Sequence, residues 1–326
     1  MKRRALLVAS GAWLAAAAVD SFAQTPKAPR RIVFLHPGTE AGWRSRMDFF
    51  RAALKELGQV EARDILLEVR WGNDRTDALP GLAAEIVATN PTVIVTASSA
   101  AVAACKKATS TIPVVFATAG DPVEQGFVAS LGRPGGNITG VIVHSGLSAK
   151  IVEIGREALP GVRRFAILVH DADPVHKSHL ERFSATAQRF QLEPVVVRVT
   201  RGEDLDRAFR ELAERKAEAL FIPNLSFFTS HRSQIVERAL KARLPLLSNQ
   251  NNVSVAGGLL SYGTEIEENY RRAAALVDKI LRGAKPGELA VEQPGKFELI
   301  VNLKTAKAIG VKLSPITMLR ATKVIE

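Results

Sequence analysis

Arg31-Ile-Val-Phe-Leu-His36 decides the fold class, because short apolar runs of this kind form strands that are buried on both faces of a sheet. A helical pattern over residues 47–57 follows it and ends at Gly58. The same alternation continues along the chain, with further strands predicted at 65–71, 92–96, 112–116, 138–143, 164–170, 194–199, 219–222, 244–247, 258–261 and 297–301. Strands that alternate with helices predict parallel sheets with right-handed crossovers.

The strands fall into two series that follow one plan. Arg164-Phe-Ala-Ile-Leu-Val-His170 is built like the first strand, and Ile112-Pro-Val-Val-Phe116 is matched by Leu244-Pro-Leu-Leu-Ser248. A chain of 326 residues is long enough for two domains. The prediction is therefore an α/β protein of two doubly wound parallel-sheet lobes. Ligands of such sheets bind beyond the carboxyl ends of the strands, so two facing lobes predict a cleft between them.

The N-terminus has the pattern of a secretory signal peptide. Met1-Lys2-Arg3-Arg4 precedes an apolar run over residues 5–19, and a small residue stands at Ala23. The apolar run is shorter than the ~20 residues of a membrane span. We predict cleavage after Ala23 and a linker over residues 24–30, and the absence of cysteine at the cleavage point argues against a lipid anchor.

Composition is that of a globular protein, with 47% hydrophobic and 24% charged residues. The net charge is +11, but basic and acidic residues are interspersed, for example over residues 211–218, which predicts a solvated surface and no nucleic-acid partner. Cys105 is the one cysteine, so no intrachain disulfide can form, and its alanine-rich surroundings predict a small buried side chain.

Enzyme signatures are absent from the sequence. It contains no Gly-x-Ser-x-Gly elbow, no His-Glu-x-x-His and no Walker loop. The glycine-rich stretch 132–140 precedes a strand, whereas phosphate loops follow one, so it is interpreted as a turn. His176 and His179 lie three residues apart and lack an evident third ligand, which favours solvated surface over a metal site. Neither a metal nor a cofactor is expected.

The loops at the predicted strand ends are rich in hydroxyl and amide side chains, which fix a polar ligand by neutral hydrogen bonds. They supply most of the candidate ligand-binding residues, which are Gly38, Thr39, Trp43, Ser98, Ser99, Thr118, Asp121, His170, Asp171, Asn224, Ser226, Phe227, Asn249 and Tyr262.

Several of these candidates have a structural interpretation as well. Ser98 and Ser99 at a helix N-terminus suit a carboxylate, while Ser98 alone would suit a helix cap. Asp121 could hold an ammonium group or start an Asp-Pro turn. Trp43 and Phe227 could stack on a flat ligand or pack under a loop.

The chain resembles one family of ABC-transporter substrate-binding proteins, the tryptophan-binding-like group. The resemblance is carried by residues 112–123 with 131–140, by 258–263 and by 296–306. It implies the type I periplasmic-binding fold, whose chain crosses a hinge three times. The crossings map near His144, at 262–264 and at 286–294. The lobes would then comprise residues 31–143 with 264–286, and residues 144–263 with 287–326.

The resemblance also implies a function. We expect the periplasmic binding component of an ABC importer, a monomer that closes around a small polar organic solute and meets an inner-membrane permease transiently. The solute is expected to carry a carboxylate, with an aromatic amino acid or a related acid as one option, although Asn224 stands near where many relatives have an aspartate. Two alternatives stay open, an exported sensor module for a membrane receptor and an exported α/β enzyme.

Overall fold

The computed structural model describes residues 28–143, 146–173, 175–293 and 295–326. The predicted leader, most of the predicted linker, His144 and Pro294 lie outside the described residues. Within the described residues no helix combines the length and the apolar character needed to cross a membrane.

The first part of the chain alternates strands and helices. Its elements are β1 (Arg30–His36), α1 (Glu40–Glu56), β2 (Ile65–Trp71), α2 (Leu79–Ala88), β3 (Val93–Thr96), α3 (Ser99–Ala108), β4 (Val114–Ala119) and β5 (Ile138–Ile142). The five strands form a parallel sheet in the order β2-β1-β3-β4-β5. β3, β4 and β5 are buried along their whole length, which explains why their sequences are continuously apolar.

The second part repeats this alternation and adds a C-terminal extension. Its elements are α4 (Leu147–Ala158), β6 (Arg164–His170), α5 (His176–Arg189), β7 (Glu193–Val199), α6 (Asp204–Glu214), β8 (Ala219–Ile222), α7 (Ser226–Ser230), α8 (Arg232–Lys241), β9 (Leu246–Ser248), α9 (Asn251–Val255), β10 (Leu260–Thr264), α10 (Ile266–Leu281), β11 (Phe297–Asn302), α11 (Leu303–Ile309), α12 (Pro315–Arg320) and β12 (Lys323–Ile325).

The second sheet has seven strands in the order β12-β11-β10-β9-β8-β6-β7. β11 runs antiparallel to β10, and the other described pairs are parallel. The order β7-β6-β8-β9-β10 repeats the order β2-β1-β3-β4-β5 of the first sheet. This repetition confirms the two-lobed α/β fold that the similarity of the two strand series predicts.

The lobes are joined where the chain passes from one sheet to the other. It leaves β5 of the first sheet for α4, and it leaves β10 of the second sheet for α10, which packs on α1, β4 and β5. Tyr270 of α10 is fully buried and stacks on Phe34 of β1, with 6.2 Å between the ring centroids. α10 therefore belongs to the core of the first lobe.

The third crossing falls at the end of the predicted range 286–294, so the boundary between the lobes lies after residue 286. We assigned residues 287–326 to the second lobe, but residues up to Glu292 run along the first sheet. The Val291 amide donates to the Leu131 carbonyl at 2.7 Å, and the Glu292 amide donates to the Gly140 carbonyl at 2.8 Å. The chain therefore returns to the second sheet only between Glu292 and Phe297.

Candidate functional site

Strand ends from both sheets meet at a cavity of about 260 Å³ between the lobes. The first lobe contributes the loops after β3 and β4, and the second contributes the loops after β6, β8 and β9. The lining residues are Trp43, Ala97, Ser98, Ser99, Thr118, Ala119, Gly120, Asp121, Glu124, Gln125, Val143, Asp173, Val175, Lys177, Ser178, His179, Glu181, Asn224, Leu225, Ser226 and Asn249. We call this space the first cavity.

More than half of the residues proposed from sequence line the first cavity. They are Trp43, Ser98, Ser99, Thr118, Asp121, Asn224, Ser226 and Asn249. They come from five separate stretches of the chain, and the parallel topology brings them to one edge because the carboxyl ends of parallel strands lie on the same side.

His170 and Phe227 lie beside the first cavity and not in it. Their rings stack with 4.5 Å between centroids, and they line a separate space of only about 10 Å³. They pack under the loops of the second lobe.

Four further candidates lie outside the described lining for identifiable reasons. A side chain at Gly38 would collide with the indole of Trp43, so this glycine makes room for that ring. The Thr39 hydroxyl caps α1 by accepting from the Gly42 amide. Asp171 forms an ion pair with Arg198 of β7. Tyr262 stacks on Phe297 of β11.

The hydroxyls of the first lobe are held within the lobe. Ser98 Oγ accepts from the Ala101 amide at 3.1 Å, and Ser99 Oγ accepts from the Gly120 amide at 3.0 Å. Ser98 is thus the cap of α3, as one interpretation predicts, while both serines also line the cavity. Because each oxygen serves as acceptor, each hydroxyl hydrogen is left to donate, which is what a carboxylate at this helix N-terminus needs.

Asp121 starts the predicted Asp-Pro turn and also lines the cavity. Its Oδ1 accepts from the Val123 and Glu124 amides at 3.0 Å each, which forms the turn that follows Asp-Pro. The residue nevertheless lines the cavity and is half-buried.

Asp173 is the most informative residue that sequence reasoning missed. It is only 6% exposed and lines the first cavity, and its Oδ1 accepts from the Val175 amide at 3.1 Å. Burial raises the pKa of this carboxyl to about 6, against the opposing effect of the Val175 amide. Its place in the loop after β6 is a signal for this position, but the sequence-based prediction names Asp171 of the same loop.

His179 is a second residue whose environment differs from the prediction. It was expected on solvated surface, but it lines the cavity, and its Nδ1 lies 2.6 Å from the hydroxyl of the fully buried Ser148. Burial lowers its pKa to about 4, so the ring is neutral at physiological pH. Among the described residues no cluster of three or more histidine, cysteine, aspartate or glutamate side chains has the arrangement of a metal site.

The predicted small buried thiol is confirmed. Cys105 has no exposed surface, and burial raises the pKa of its thiol to about 12. A thiol that stays protonated is not a nucleophile.

The two lobes touch on both sides of the cavity. Arg182 of α5 pairs with Glu124 of the first lobe at 2.9 Å, and the Ser230 hydroxyl of α7 donates to Asp74 of the first lobe at 2.8 Å. These contacts hold the two lobes together in a closed arrangement around the cavity.

Two similar lobes that close over a ligand-sized cavity define a binding protein of the type I periplasmic-binding fold. The sequence model of the family described as ABC transporter substrate binding protein matches residues 36–325. Since this match spans most of the chain, the protein belongs to that family.

Individual relatives agree with the family. A tyrosine-binding protein of Clostridioides difficile (strain R20291) is 22% identical over 263 residues, covering 81% of this chain and 76% of the relative. A conserved domain protein of Vibrio cholerae has a similar structure, with a TM-score of 0.85, 23% identity, and coverage of 91% of this chain and 100% of that one. An ABC domain from Streptococcus pneumonia in complex with L-Trp has a TM-score of 0.82, 20% identity and the same coverage.

Proposed function

We propose that this protein is the extracytoplasmic binding component of an ABC importer and that its ligand is an amino acid, with an aromatic amino acid as the leading candidate. It binds without chemical turnover and, as a monomer, delivers the ligand to a membrane permease. The observation that carries this proposal is the cavity of about 260 Å³, which has a buried carboxylate on one lobe and two hydroxyls at a helix N-terminus on the other.

The two ends of an amino acid fit the two sides of the cavity. The ligand carboxylate lies at Ser98 and Ser99, whose hydroxyl hydrogens and helix N-terminus favour negative charge. The ligand ammonium lies at Asp173, which replaces the carboxylate that the sequence lacks at Asn224.

The charge of the lining supports a ligand with an ammonium group. The carboxylates of Asp121, Glu124, Asp173 and Glu181 face the cavity against the single ammonium of Lys177, and His179 is neutral. Arg182 compensates Glu124. A ligand with only negative charge would meet this excess of carboxylates with Lys177 as its one cationic partner in the described lining.

The size of the cavity and the ligands named for the relatives narrow the class of ligand. The cavity is close to the lower end of the ~300–1,000 Å³ range of small-molecule sites, which suits a compact molecule. The relatives in which tyrosine or L-Trp is named as ligand support an aromatic amino acid.

The test is calorimetric titration of the purified protein, after unfolding and refolding to remove a carried ligand. Tryptophan, tyrosine and phenylalanine are compared with tryptamine, which lacks the carboxylate, and with indole-3-propionate, which lacks the ammonium. We expect at least one amino acid to bind, and both truncated compounds to bind at least tenfold more weakly. Equal binding of tryptamine, or binding of sugars only, would refute the proposal.

A further inference from the structure

A second cavity of about 250 Å³ lies between the lobes and shares only Asn224 and Asn249 with the first. It is bounded by Arg46 of α1 and the first turn of α10 on one lobe, and by the loop after β9 on the other. Nothing in the proposed amino-acid site uses it. The cavity is large enough for several water molecules or for a small organic molecule.

Arg46 contributes a buried positive charge to the lining of this cavity. The residue is only 5% exposed, and its guanidinium carbon lies 4.3 Å from the centroid of the Trp43 ring. Its buried Nη1 has no hydrogen-bond partner, and Arg46 forms no ion pair among the residues that the structure describes. Burial lowers its pKa, but a guanidinium remains protonated in proteins, so Arg46 is a buried positive charge that no described carboxylate neutralises by an ion pair.

Amide groups at the same cavity are also without partners. Asn249 is 3% exposed, and neither its Oδ1 nor its Nδ2 is hydrogen-bonded within the described part of the chain. The Oδ1 atoms of Asn251 and Asn252 are likewise buried and unpaired there. Unpaired buried donors and acceptors are rare in folded proteins, and here they surround a space that a ligand can fill.

Acidic residues at the cavity limit what that ligand can be. Glu267 faces Arg46 without pairing with it, Glu298 accepts from the Asn251 amide at 3.1 Å, and Glu265 and Lys323 stand at the exposed margin. A bare anion would satisfy Arg46 but not the amide oxygens and the glutamates. A molecule with both a carboxylate and a donor group satisfies both kinds of partner.

We propose that the second cavity is a separate binding site for a small carboxylic acid that also carries an ammonium or hydroxyl group. Arg46 and Asn249 Nδ2 donate to the carboxylate, and Asn249 Oδ1 or a neighbouring acceptor receives the ligand's hydrogen. The site goes beyond the proposed amino-acid site and does not depend on it, since Asp173 does not line it.

The test uses thermal unfolding of the protein with glycine or lactate as probes, against ethanolamine and sodium chloride at matched ionic strength. We expect glycine or lactate at about a hundredfold excess over Kd to raise Tm by about 2–4 °C. Arg46→Met should abolish this response. Arg44→Gln on the exposed side of α1 and Asp173→Asn in the first cavity should retain it.

The outcomes separate this site from the first one. A response that survives in Arg46→Met, or that disappears in Asp173→Asn, overturns the proposal, as does an equal response to ethanolamine or no response to either probe. If Arg46→Met does not fold, Arg46→Lys decides, because it keeps the charge but loses the paired donors. We then expect at least fivefold weaker binding, and unchanged binding overturns the proposal.

Discussion

The loops of the two lobes face the same cleft, but their polar side-chain atoms differ in whether they already have hydrogen-bond partners. In the first lobe the side chains of Ser98, Ser99, Thr118 and Asp121 are all hydrogen-bonded to their own lobe. In the second lobe Asn249 is buried with both polar atoms unpaired among the described residues. The strand-end side chains of the first lobe are therefore a preformed platform, whereas Asn249 of the second lobe is a strand-end side chain that still needs a partner. Outside the strand ends, Trp43 Nε1 of α1 is also buried and unpaired among the described residues.

This difference assigns different roles to the two lobes. Hydroxyls that are fixed by backbone contacts orient a ligand without reorganisation, which favours their role as a first docking surface. In the second lobe the buried carboxyl of Asp173 gains most when the ammonium group of a ligand arrives. We expect the second lobe to contribute more of the binding free energy than the first lobe. The following predictions test this difference.

The largest effect is expected from Asp173→Asn. Removal of one partner of a buried charge pair costs about 2–5 kcal/mol, so affinity for the amino-acid ligand should fall at least about thirtyfold. Calorimetric titration at pH 7.5 measures the loss. Asp171→Asn is the matched control from the same loop, because Asp171 pairs with Arg198 and should leave affinity unchanged. Equal losses in both variants would contradict the assignment of Asp173.

The pH dependence of ligand binding is the next largest effect. Because the pKa of Asp173 is about 6, its carboxyl is mostly protonated at pH 5 and mostly ionised at pH 7. An ammonium ligand needs the ionised form, so its affinity should rise about tenfold from pH 5 to pH 7. His179, with a pKa of about 4, stays neutral over this interval. The dependence should disappear in Asp173→Asn and persist in His176→Gln, which removes the ring whose Nδ1 contacts the Asp173 carbonyl.

Stability of the ligand-free protein should respond to the same group with the opposite sign. The folded protein keeps the Asp173 proton up to about pH 6, whereas an unfolded aspartate releases it near 3.9. Between these values the native state binds more protons, so the free energy of unfolding contributed by this group falls as pH rises. Thermal unfolding of the wild type and of Asp173→Asn from pH 4 to pH 7 measures the difference. A wild type that gains stability relative to the variant over this range would exclude a raised pKa.

Substitution of the two serines of the platform is expected to have smaller effects, on stability at Ser98 and on ligand affinity at Ser99. Ser98→Ala removes the cap of α3 and should lower the free energy of unfolding by about 1 kcal/mol. Ser99→Ala removes one hydroxyl donor from the ligand carboxylate and should weaken binding about tenfold. Chemical denaturation and titration of both variants measure the two quantities. A loss of affinity in Ser99→Ala as large as that in Asp173→Asn would contradict the larger contribution proposed for the second lobe.

The fold was predictable because its strands are buried on both faces and therefore carry continuous apolar runs. Sequence analysis does not predict α4, although Leu147, Ile151 and Ile154 have helical spacing, and the helix also contains Gly155, a poor helix former. Glycine is needed there since a Cβ at this position would lie 2.7 Å from Cε1 of Phe165. Packing against Phe165 of β6 and Leu247 of β9 explains that glycine, and such packing is not visible in local sequence.

The edge that holds the site was also predictable, whereas the choice among its residues was not. Parallel topology places the loops together, but Asp171 and Asp173 differ only in what surrounds them. Asp171 points to a partner on β7, Arg198, and Asp173 is enclosed by the cavity. Likewise, Gln125, Lys177 and Glu181 reach the cavity from a turn and a helix that the strand-end rule does not cover.

The smallest expected effect concerns the contact that joins the two lobes. Arg182 and Glu124 are both partly exposed, with 37% and 53% of the side chain accessible, so their ion pair is worth no more than about 1 kcal/mol. Arg182→Ala should therefore weaken ligand binding at most about fivefold, and the difference should shrink between 50 and 500 mM NaCl as the charges are screened. Arg189→Ala is the matched control, because Arg189 pairs with Glu153 inside the second lobe and its loss cannot affect closure directly. If the two variants weaken binding equally, the Arg182 contact does not stabilise the closed form, and binding depends on the cavity alone.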